Sequence, residues 1–390
     1  MQLRWFISST VRHASDMRKH VQKLLNSQRD ILSPQAVSAL EDALKEIKAA
    51  LDADADDAAL QKQMEALEKT ATKWIKPYPY ADWRDNVEVF LVAIVVAMGV
   101  RTFFLQPFKI PTGSMQPTLY GVKTEDLRAD ANFKMPGLLT RAYEVAVHGR
   151  FYHEIIAPQD GQLVRVSRVD HSLHVINRQT LWVRYDGSDE EVPFTLWCGP
   201  EEDAKNQIDA GLTRRYSFRK GQPIIRFKET TGDHLFVDRF TYNFRHPGRG
   251  EIIVFKTRGI VGIRDQDQFY IKRLIGLGGE SVSIGDDRHV RIDGRRLDAS
   301  TPHFENVYGF DPRSEPEESH YSGHVLAGQS NLGRPEDSIN VPSGEFVAFG
   351  DNTVNSLDSR YWGPLPEDNV IGKAFFVYWP ITSRFGWGQQ

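Results

Sequence analysis

The chain has 390 residues, of which 26% are charged and 40% are hydrophobic, and its mean hydropathy is −0.44. These values describe a mostly soluble protein of several domains and exclude a polytopic membrane protein. Because 48 basic residues are balanced by 52 acidic ones, no overall positive field attracts nucleic acid. Cys198 is the single cysteine of the sequence, which excludes an intramolecular disulfide and a multi-thiolate zinc site.

The first 80 residues have the pattern of charged helices. Ser33 followed by Pro34 is typical of a helix start, with an N-cap serine and a first-turn proline. Apolar residues recur at helical spacing on both sides of the acidic turn at residues 52–57 and in an earlier stretch. These positions are Val37, Leu40, Leu44, Ile47 and Leu51, then Leu60, Met64, Leu67, Ala71 and Trp74, and earlier Met17, Val21 and Leu24. We predict a coiled-coil-like hairpin or bundle over residues 1–80 and favour a self-packed cytoplasmic region over self-association through these helices.

An apolar run, VEVFLVAIVVAMGVRTFFL, occupies residues 87–105 after a helix-breaking KPYPY linker. A helix of that length would span about 28 Å, close to the roughly 30 Å hydrocarbon core of a bilayer. The uninterrupted part, residues 89–100, is short enough to be a buried core helix instead. We favour one transmembrane helix. The first ten residues lack the apolar core of a cleavable signal peptide, so we expect none.

Basic residues near this run predict its orientation. Lys69, Lys73, Lys76 and Arg84 precede the run, whereas Lys109 and Lys123 follow it. Because positive charge is enriched on the cytoplasmic side of a span, we expect the N-terminal side to be cytoplasmic and the remainder of the chain to be exported.

Beyond the run the apolar pattern changes to period two, with turns rich in Gly, Pro, Asn and Asp. The clearest predicted strands are at residues 161–169, 251–256, 268–277, 289–297 with an Asp-Gly hairpin turn, and 374–379. This pattern predicts a mainly β exported region. Neither a glycine-rich phosphate loop nor an HExxH helix occurs in the sequence, so nucleotide-binding and zinc-protease functions lack support.

A possible nucleophile lies in QPFKIPTGSMQPTL, residues 106–119, directly after the apolar run. Ser114 is flanked by Pro111 and Pro117, which restrict the backbone and remove amide donors. A rigid loop that presents a serine suggests nucleophilic chemistry, although loops are generally rich in the same residues.

A nucleophilic serine requires a base. No histidine occurs in a recognisable triad pattern, and a buried lysine is the other known base for such a serine. Lys272, in FYIKRLIGLGGE, is the candidate, since strand alternation places it on one face with Tyr270 and Leu274. Apolar surroundings favour the neutral amine, whereas the alternative is an ordinary surface lysine.

A third segment, FGDNTVNSLDSRYWGPLP at residues 349–366, is by itself a long polar loop. Together the three segments resemble a type I signal peptidase, the membrane-anchored Ser-Lys protease that removes signal peptides from exported preproteins. The matching segments are IPTGSMQPTL, GDHLFVDRF with RHPGRGEIIVFK, YIKRLIGLGGE, and GDN followed by NSLDSRYWG. Their order and their position after an apolar run also match. The resemblance covers about half the chain, residues 87–119 and 231–379.

The resemblance implies a role for each matching residue, and it implies no metal and no cofactor. The implied residues are Ser114 as nucleophile, Lys272 as general base, Thr112 with the Ser114 amide as oxyanion hole, Ser356 as the group that orients the lysine, and Tyr270, Asp351, Asp358 and Arg360 as supporting residues. This chain has Thr353-Val354 where many relatives carry charged residues, which puts a salt bridge from that position to Arg360 in doubt. The disulfide of some relatives is absent because Cys198 stands alone.

The expected fold class is mainly β: an antiparallel-sheet catalytic domain of signal-peptidase type with an inserted β domain, after one transmembrane helix and an N-terminal helical hairpin or bundle. The expected domains are the helical region 1–80, the span 87–105, a catalytic domain from residues 106–119, 231–280 and 345–390, an inserted β-rich domain 120–230, and a smaller β region 281–344.

The function implied by the resemblance is signal peptidase I activity through an acyl-enzyme at the inner (plasma) membrane. The expected partners are exported preproteins with small residues before the cleavage site and the lipid bilayer, with no nucleic acid. Two alternatives remain at this point: a self-cleaving Ser-Lys peptidase, and an inactive membrane-tethered β scaffold.

Overall fold

The computed structural model describes residues 8–53, 55–75, 81–130, 132–167, 170–172, 176–197, 217–311 and 322–387. Cys198 and the whole predicted KPYPY linker, residues 76–80, lie outside the described residues. The chain divides into two compact units, Met1–Val95 and Val96–Gln390.

Within the described part of the first unit, three helices precede the apolar helix: α1 Ser9–Gln28, α2 Pro34–Asp52 and α3 Asp57–Trp74. Each begins at a side chain that caps a free backbone amide, and these caps are Ser8, the predicted Ser33, and Asp56. The apolar stripes of the helices pack on one another in a core that includes Val21, Leu25, Leu40, Leu44, Ile47, Leu51, Leu60 and Leu67. The predicted N-terminal helical region is therefore confirmed, and its stripes are used for packing within the bundle.

Helix α4 runs over Ala81–Phe103. Within it, Trp83–Phe103 is long and apolar enough to cross a membrane by length and composition, with a mean hydropathy of 1.8 and none of its most apolar window buried. The helix ends before the predicted limit at residue 105. Leu105 instead starts a strand, because residues 105–109 find backbone partners in residues 234–238.

The second unit is built mainly from antiparallel strands, which confirms the predicted fold class. In chain order these strands are β1 Leu105–Lys109, β2 Lys123–Asp126, β3 Arg150–Ile156, β4 Gly161–Val166, β5 Asp170–Ser172, β6 Ile176–Tyr185, β7 Glu191–Trp197, β8 Ser217–Phe218, β9 Pro223–Thr230, β10 His234–Asp238, β11 Ile252–Lys256, β12 Phe269–Gly276, β13 Ser281–Ile284, β14 Val290–Ile292, β15 Arg295–Arg296, β16 Ser338–Asn340, β17 Glu345–Phe349, β18 Leu365–Pro366 and β19 Val370–Trp379. The described helices among them are α5 Leu138–His148 and the short α6 Ser359–Trp362.

The main sheet has seven strands in the order β1-β10-β19-β11-β12-β17-β18. A four-stranded sheet, β15-β14-β13-β16, follows β12 in the chain. Two further sheets, β2-β9-β3 and β5-β6-β4-β8 with β7 paired to β6, arise from the long segment between β1 and β10. Helix α5, which no sequence pattern indicated, also belongs to that segment.

That segment leaves and rejoins the main sheet at one point. The amide of Asp233 donates to the carbonyl of Tyr120 at 2.8 Å, and the amide of Tyr120 donates to the Asp233 carboxylate at 2.7 Å. Immediately beyond this pair, Lys123 and Thr230 begin the β2–β9 ladder. Both ends of the segment are therefore held side by side.

Strand β12 separates two apolar cores. Tyr270 and Leu274 pack into the cluster around Phe255 and Trp362, whereas Ile271 packs into the cluster around Met115. This alternation is the one that the period-two pattern predicts. It places the Lys272 side chain on the same face as Tyr270. On that face the lysine reaches Ser114, which lies in the loop after β1.

Candidate active site

The candidate nucleophile, Ser114, lies in a single turn of 3-10 helix, Gly113–Met115, shortly after β1. Its neighbour Met115 is fully buried in the core below the main sheet and anchors the turn. The Ser114 side chain is 6% exposed. The buried Met115 side chain therefore anchors the turn, and the turn presents a hydroxyl that is almost inaccessible to solvent.

Lys272 reaches this hydroxyl from β12. Its Nζ lies 2.8 Å from Ser114 Oγ and 2.9 Å from the carbonyl oxygen of Ile271. The ring centre of Tyr270, half-buried beside the lysine, lies 5.5 Å from the same nitrogen. The predicted serine and lysine, 158 residues apart in the sequence, are therefore in direct hydrogen-bonding contact.

The environment of Lys272 favours the neutral amine. Burial lowers the pKa of Lys272 from its ordinary value of 10.5 to about 8, even though the carboxylates of Asp358 and Asp351 act in the opposite direction. The nearby Arg360 guanidinium adds to the lowering of this pKa. An amine with this pKa can accept a proton at mildly alkaline pH.

The first of these carboxylates, Asp358, forms a buried ion pair with Arg360, at 2.8 Å. Burial works against ionisation of Asp358, but the charge and hydrogen bonds of Arg360 prevail and hold the pKa of this carboxyl below its ordinary value. Arg360 also donates to Thr353 Oγ1 at 2.8 Å. The position after GDN thus meets Arg360 through a neutral hydroxyl, which resolves the doubt raised by the sequence.

The second carboxylate, Asp351, pairs with Arg273, the neighbour of the lysine on the opposite face of β12. The guanidinium donates to both carboxylate oxygens at 2.6 and 2.8 Å, and both side chains are essentially inaccessible to solvent. Thr118 donates to the same carboxylate at 2.6 Å. Together these bonds connect β12, the serine loop and the segment after β17. Sequence reasoning named Asp351 as a supporting residue but missed Arg273 and Thr118.

Asn352 holds the serine turn in place, and sequence reasoning missed this role. Its backbone amide donates to the Ser114 carbonyl at 3.0 Å, and its side-chain amide donates to the Gly113 carbonyl at 3.0 Å. Gly350 lies so close that a β-carbon there would sit 2.5 Å from the Ser114 carbonyl. The GDN triplet therefore requires glycine for space at position 350 and the asparagine side chain for the bond to the Gly113 carbonyl.

Two predicted site residues make fewer contacts than expected. Thr112 has an extended backbone and is exposed at the edge of the site, in position to line it with Ser114. Ser356 is buried, and its side chain contributes to lowering the pKa of the Asp358 carboxyl rather than contacting the lysine. The predicted bond from Ser356 to the lysine is not formed here, because Lys272 instead contacts Ser114 Oγ and the Ile271 carbonyl.

A groove of about 520 Å³ opens over the serine and the lysine. Its walls are Pro111 and Thr112 from the serine loop, residues 268–272 of the β12 region, and residues 354–357 with Tyr361 from the loop after β17. Strand β12 pairs with β11 through residues 269–273 but with β17 only from Arg273 onward. Among the described residues, the edge of 269–272 that faces away from β11 is therefore unpaired and open to an extended peptide.

No cluster of three or more His, Cys, Asp or Glu side chains able to hold a metal occurs among the described residues.

Comparison with known proteins shows what the chain is similar to. The family described as signal peptidase, peptidase S26, matches residues 83–131 and 228–379, more than half of the chain. A probable signal peptidase I-1 of Synechocystis sp. is 33% identical over 160 residues, covering 40% of this chain and 66% of that protein. A second Synechocystis protein, probable signal peptidase I-2, is 29% identical over 38% of this chain and 56% of its own length. The signal peptidase I of Pseudomonas fluorescens is 29% identical over 38% of this chain and 60% of its own length. The chain thus spans about six tenths of the length of these curated relatives.

Proposed function

Because the chain belongs to the signal peptidase family, peptidase S26, we propose that it is a membrane-bound serine endopeptidase that removes signal peptides from exported preproteins. One observation carries this proposal: the 2.8 Å contact between Ser114 Oγ and a buried Lys272 whose pKa is lowered to about 8. This contact pairs a nucleophile with a base that can act near neutral pH. The same contact argues against an inactive scaffold.

In the first step, Ser114 Oγ attacks the carbonyl carbon of the scissile peptide bond while its proton passes to the neutral amine of Lys272. The tetrahedral intermediate then collapses, the C–N bond breaks, and the Lys272 ammonium returns the proton to the leaving amine. The product is an ester between Ser114 and the signal peptide, with the mature protein released. In the second step Lys272 takes a proton from water as the water attacks the ester carbonyl; the bond between this carbon and Ser114 Oγ then breaks, the signal peptide leaves as its carboxylic acid, and the Lys272 ammonium returns the proton to Oγ.

The developing oxyanion requires donors on the side of the serine away from the lysine. We assign this role to the Ser114 amide and the Thr112 hydroxyl, since both residues line the groove. A single donor of this kind contributes about 3 to 4 kcal/mol to transition-state stabilisation in other enzymes. The buried Ser356 hydroxyl, next to the lysine, is assigned to orient Lys272 during the cycle.

The substrate is proposed to bind as an added strand. The unpaired edge of residues 269–272 offers backbone groups to an extended peptide, whose alternate side chains then enter pockets on the groove floor. Pro111 and Tyr270 line the groove together with Ser114, and we assign to this part of the groove the preference for small side chains before the cleaved bond.

We further propose that α4 crosses the inner membrane once, with the N-terminal bundle cytoplasmic and the second unit exported. The apolar surface of α4 and the excess of basic residues before it support this orientation. The proposed catalytic domain comprises residues 106–119, 231–280 and 345–390, with 120–230 as an insertion and 281–344 as a smaller β region. Self-association through the N-terminal helices stays a prediction, and the internal packing of their stripes weighs against it.

The test is cleavage of a purified preprotein by the full chain in detergent. Wild type is expected to release the mature protein, and Lys272→Ala is expected to be inactive. Lys256→Ala provides a matched control, because Lys256 is an exposed lysine on the neighbouring strand β11. Equal activity of Lys272→Ala and wild type would refute the proposed mechanism, and no cleavage by wild type would refute the proposed function.

A further inference from the structure

One wall of the groove has no role in the reaction as proposed. It is the outer face of the loop after β17, where Val354, Leu357 and Tyr361 line the groove together with Ser114 and Lys272. These three side chains are 41%, 49% and 46% exposed. Apolar side chains on a groove wall are available for contact with a bound peptide.

The backbone of this wall is held at several points by hydrogen bonds on the inner face of the loop. The Arg360 guanidinium donates to the carbonyls of Thr353 at 2.7 Å and Val325 at 3.0 Å, in addition to its ion pair. The Tyr361 amide donates to the Asp358 carbonyl at 2.8 Å. Binding of a peptide would therefore cost little entropy for ordering the loop, and this is the property of a preorganised subsite.

The position of this wall on the substrate follows from the proton path. Lys272 must return its proton to the amine of the leaving peptide, so the residue after the cleaved bond passes next to Lys272 Nζ. The other two walls already have roles in the proposed mechanism. The edge of β12 pairs with the peptide before the cleaved bond, and the loop that carries Thr112 faces the oxyanion. The wall that remains beside Lys272 is the one that carries Leu357 and Tyr361.

The exposed side chains of Leu357 and Tyr361 give this wall a largely apolar surface, and the other polar side chains on it, Asn355 and Ser356, are uncharged. Among the described residues that line the groove, Lys272 alone carries an ionisable basic or acidic group of the Lys, Arg, Asp, Glu or His type. We propose that Leu357 and Tyr361 form the subsite for the side chain that follows the cleaved bond, and that this subsite selects apolar over acidic side chains. This inference rests on the proposed function and specifies the substrate of the same site.

The test uses the full chain in detergent and three synthetic preprotein peptides that differ only in the residue after the cut, which is Leu, Ala or Asp. Wild type is expected to cleave the Leu peptide about tenfold faster than the Asp peptide, measured as kcat/KM, the effect of burying one apolar side chain. In the double variant Leu357→Ser, Tyr361→Ser the Leu-to-Asp ratio is expected to fall to near one. Leu139→Ser, at a side chain 86% exposed on α5, is the matched control and is expected to keep the wild-type ratio.

A second readout separates the subsite from a structural role. The leaving peptide has departed before the ester is hydrolysed, so the change of ratio must appear in single-turnover acylation and be absent from deacylation. An equal fall in rate for all three peptides, with the ratio kept, would overturn the proposed subsite. A wild type that cleaves all three peptides at one rate would overturn it too while leaving the proposed function intact. A wild type that cleaves none would overturn the proposed function and this subsite together.

Discussion

Replacing Lys272 by methionine should make the stability of the protein less dependent on pH in the alkaline range. The native state lowers the pKa of this lysine from 10.5 to about 8, so between these two values the unfolded chain binds more protons than the native one. Stability therefore rises with pH across this window in wild type. Below pH 8 the native protein bears the full cost of holding a charged amine in its interior, and above pH 10.5 this cost is gone. Lys272→Met removes the group that titrates.

The size of the effect follows from the shift. A difference of about 2.5 between the two pKa values corresponds to about 3 kcal/mol, since each unit is about 1.4 kcal/mol. Between pH 7 and pH 10 about 2.5 kcal/mol of this is recovered, because the lysine of the unfolded chain is still mostly charged at pH 10. Loss of the contact with Ser114 also changes stability, but to first order this contribution does not vary over the window.

The assay is urea unfolding of the full chain in detergent at pH 7 and pH 10 for wild type, Lys272→Met and Lys256→Met. At each pH we take the difference in unfolding free energy between wild type and the variant. The quantity compared is how much this difference changes between pH 7 and pH 10. For Lys272→Met we expect wild type to gain about 2.5 kcal/mol relative to the variant on going to pH 10. Lys256→Met, on the exposed face of β11, controls for the loss of a lysine in itself. A change below about 0.5 kcal/mol for Lys272→Met would refute the lowered pKa.

Three further outcomes are expected. Cleavage by wild type, measured as kcat/KM, should rise about tenfold between pH 7 and pH 9 as Lys272 becomes neutral, and a flat pH profile would contradict this. The variant Lys272→Arg should be inactive because a guanidinium does not deprotonate, and an active arginine variant would contradict the role of the lysine as base. Asp351→Asn should cost about 3 to 5 kcal/mol in urea unfolding, since it leaves the buried guanidinium of Arg273 without its counter-charge, and a cost below about 1 kcal/mol would show that the pair is dispensable. Gly350→Ala should reduce both cleavage and melting temperature because its methyl group would lie 2.5 Å from the carbonyl of the nucleophilic serine, whereas Gly328→Ala, with open space around it, should reduce neither.

The reacting pair could be predicted from the sequence because three short segments together resemble one family, and the local pattern around each residue agrees with that resemblance. Ser114 lies in a proline-bounded loop, and Lys272 lies in a strand whose alternation assigns it a face. The N-terminal helices were predictable for the same reason, since their caps and apolar stripes fall within single elements.

The rest of the site depends on long-range pairing, which no local pattern encodes. Arg273 lies 78 residues from Asp351, and nothing next to either residue indicates that they meet. The bonds from Asn352 to the serine turn span 239 residues in the case of Gly113. The end of α4 was predicted two residues too late, because apolar character continues through Leu105 while the backbone partner that makes it a strand lies on β10.

The two ends of the long segment between β1 and β10 are hydrogen-bonded to each other, so the chain leaves the main sheet and re-enters it at neighbouring residues. The hydrogen bonds between Tyr120 and Asp233 join these two ends, whatever the structure of the residues between them. Lengthening a loop whose ends are already joined adds only a slowly growing entropic cost, about 0.6 kcal/mol per doubling. Changes in the two extra sheets are therefore expected to leave the register of β1 on β10 unaltered, whereas changes in α5 would reach the end of β19, because the Trp379 side chain donates to the Ala146 carbonyl.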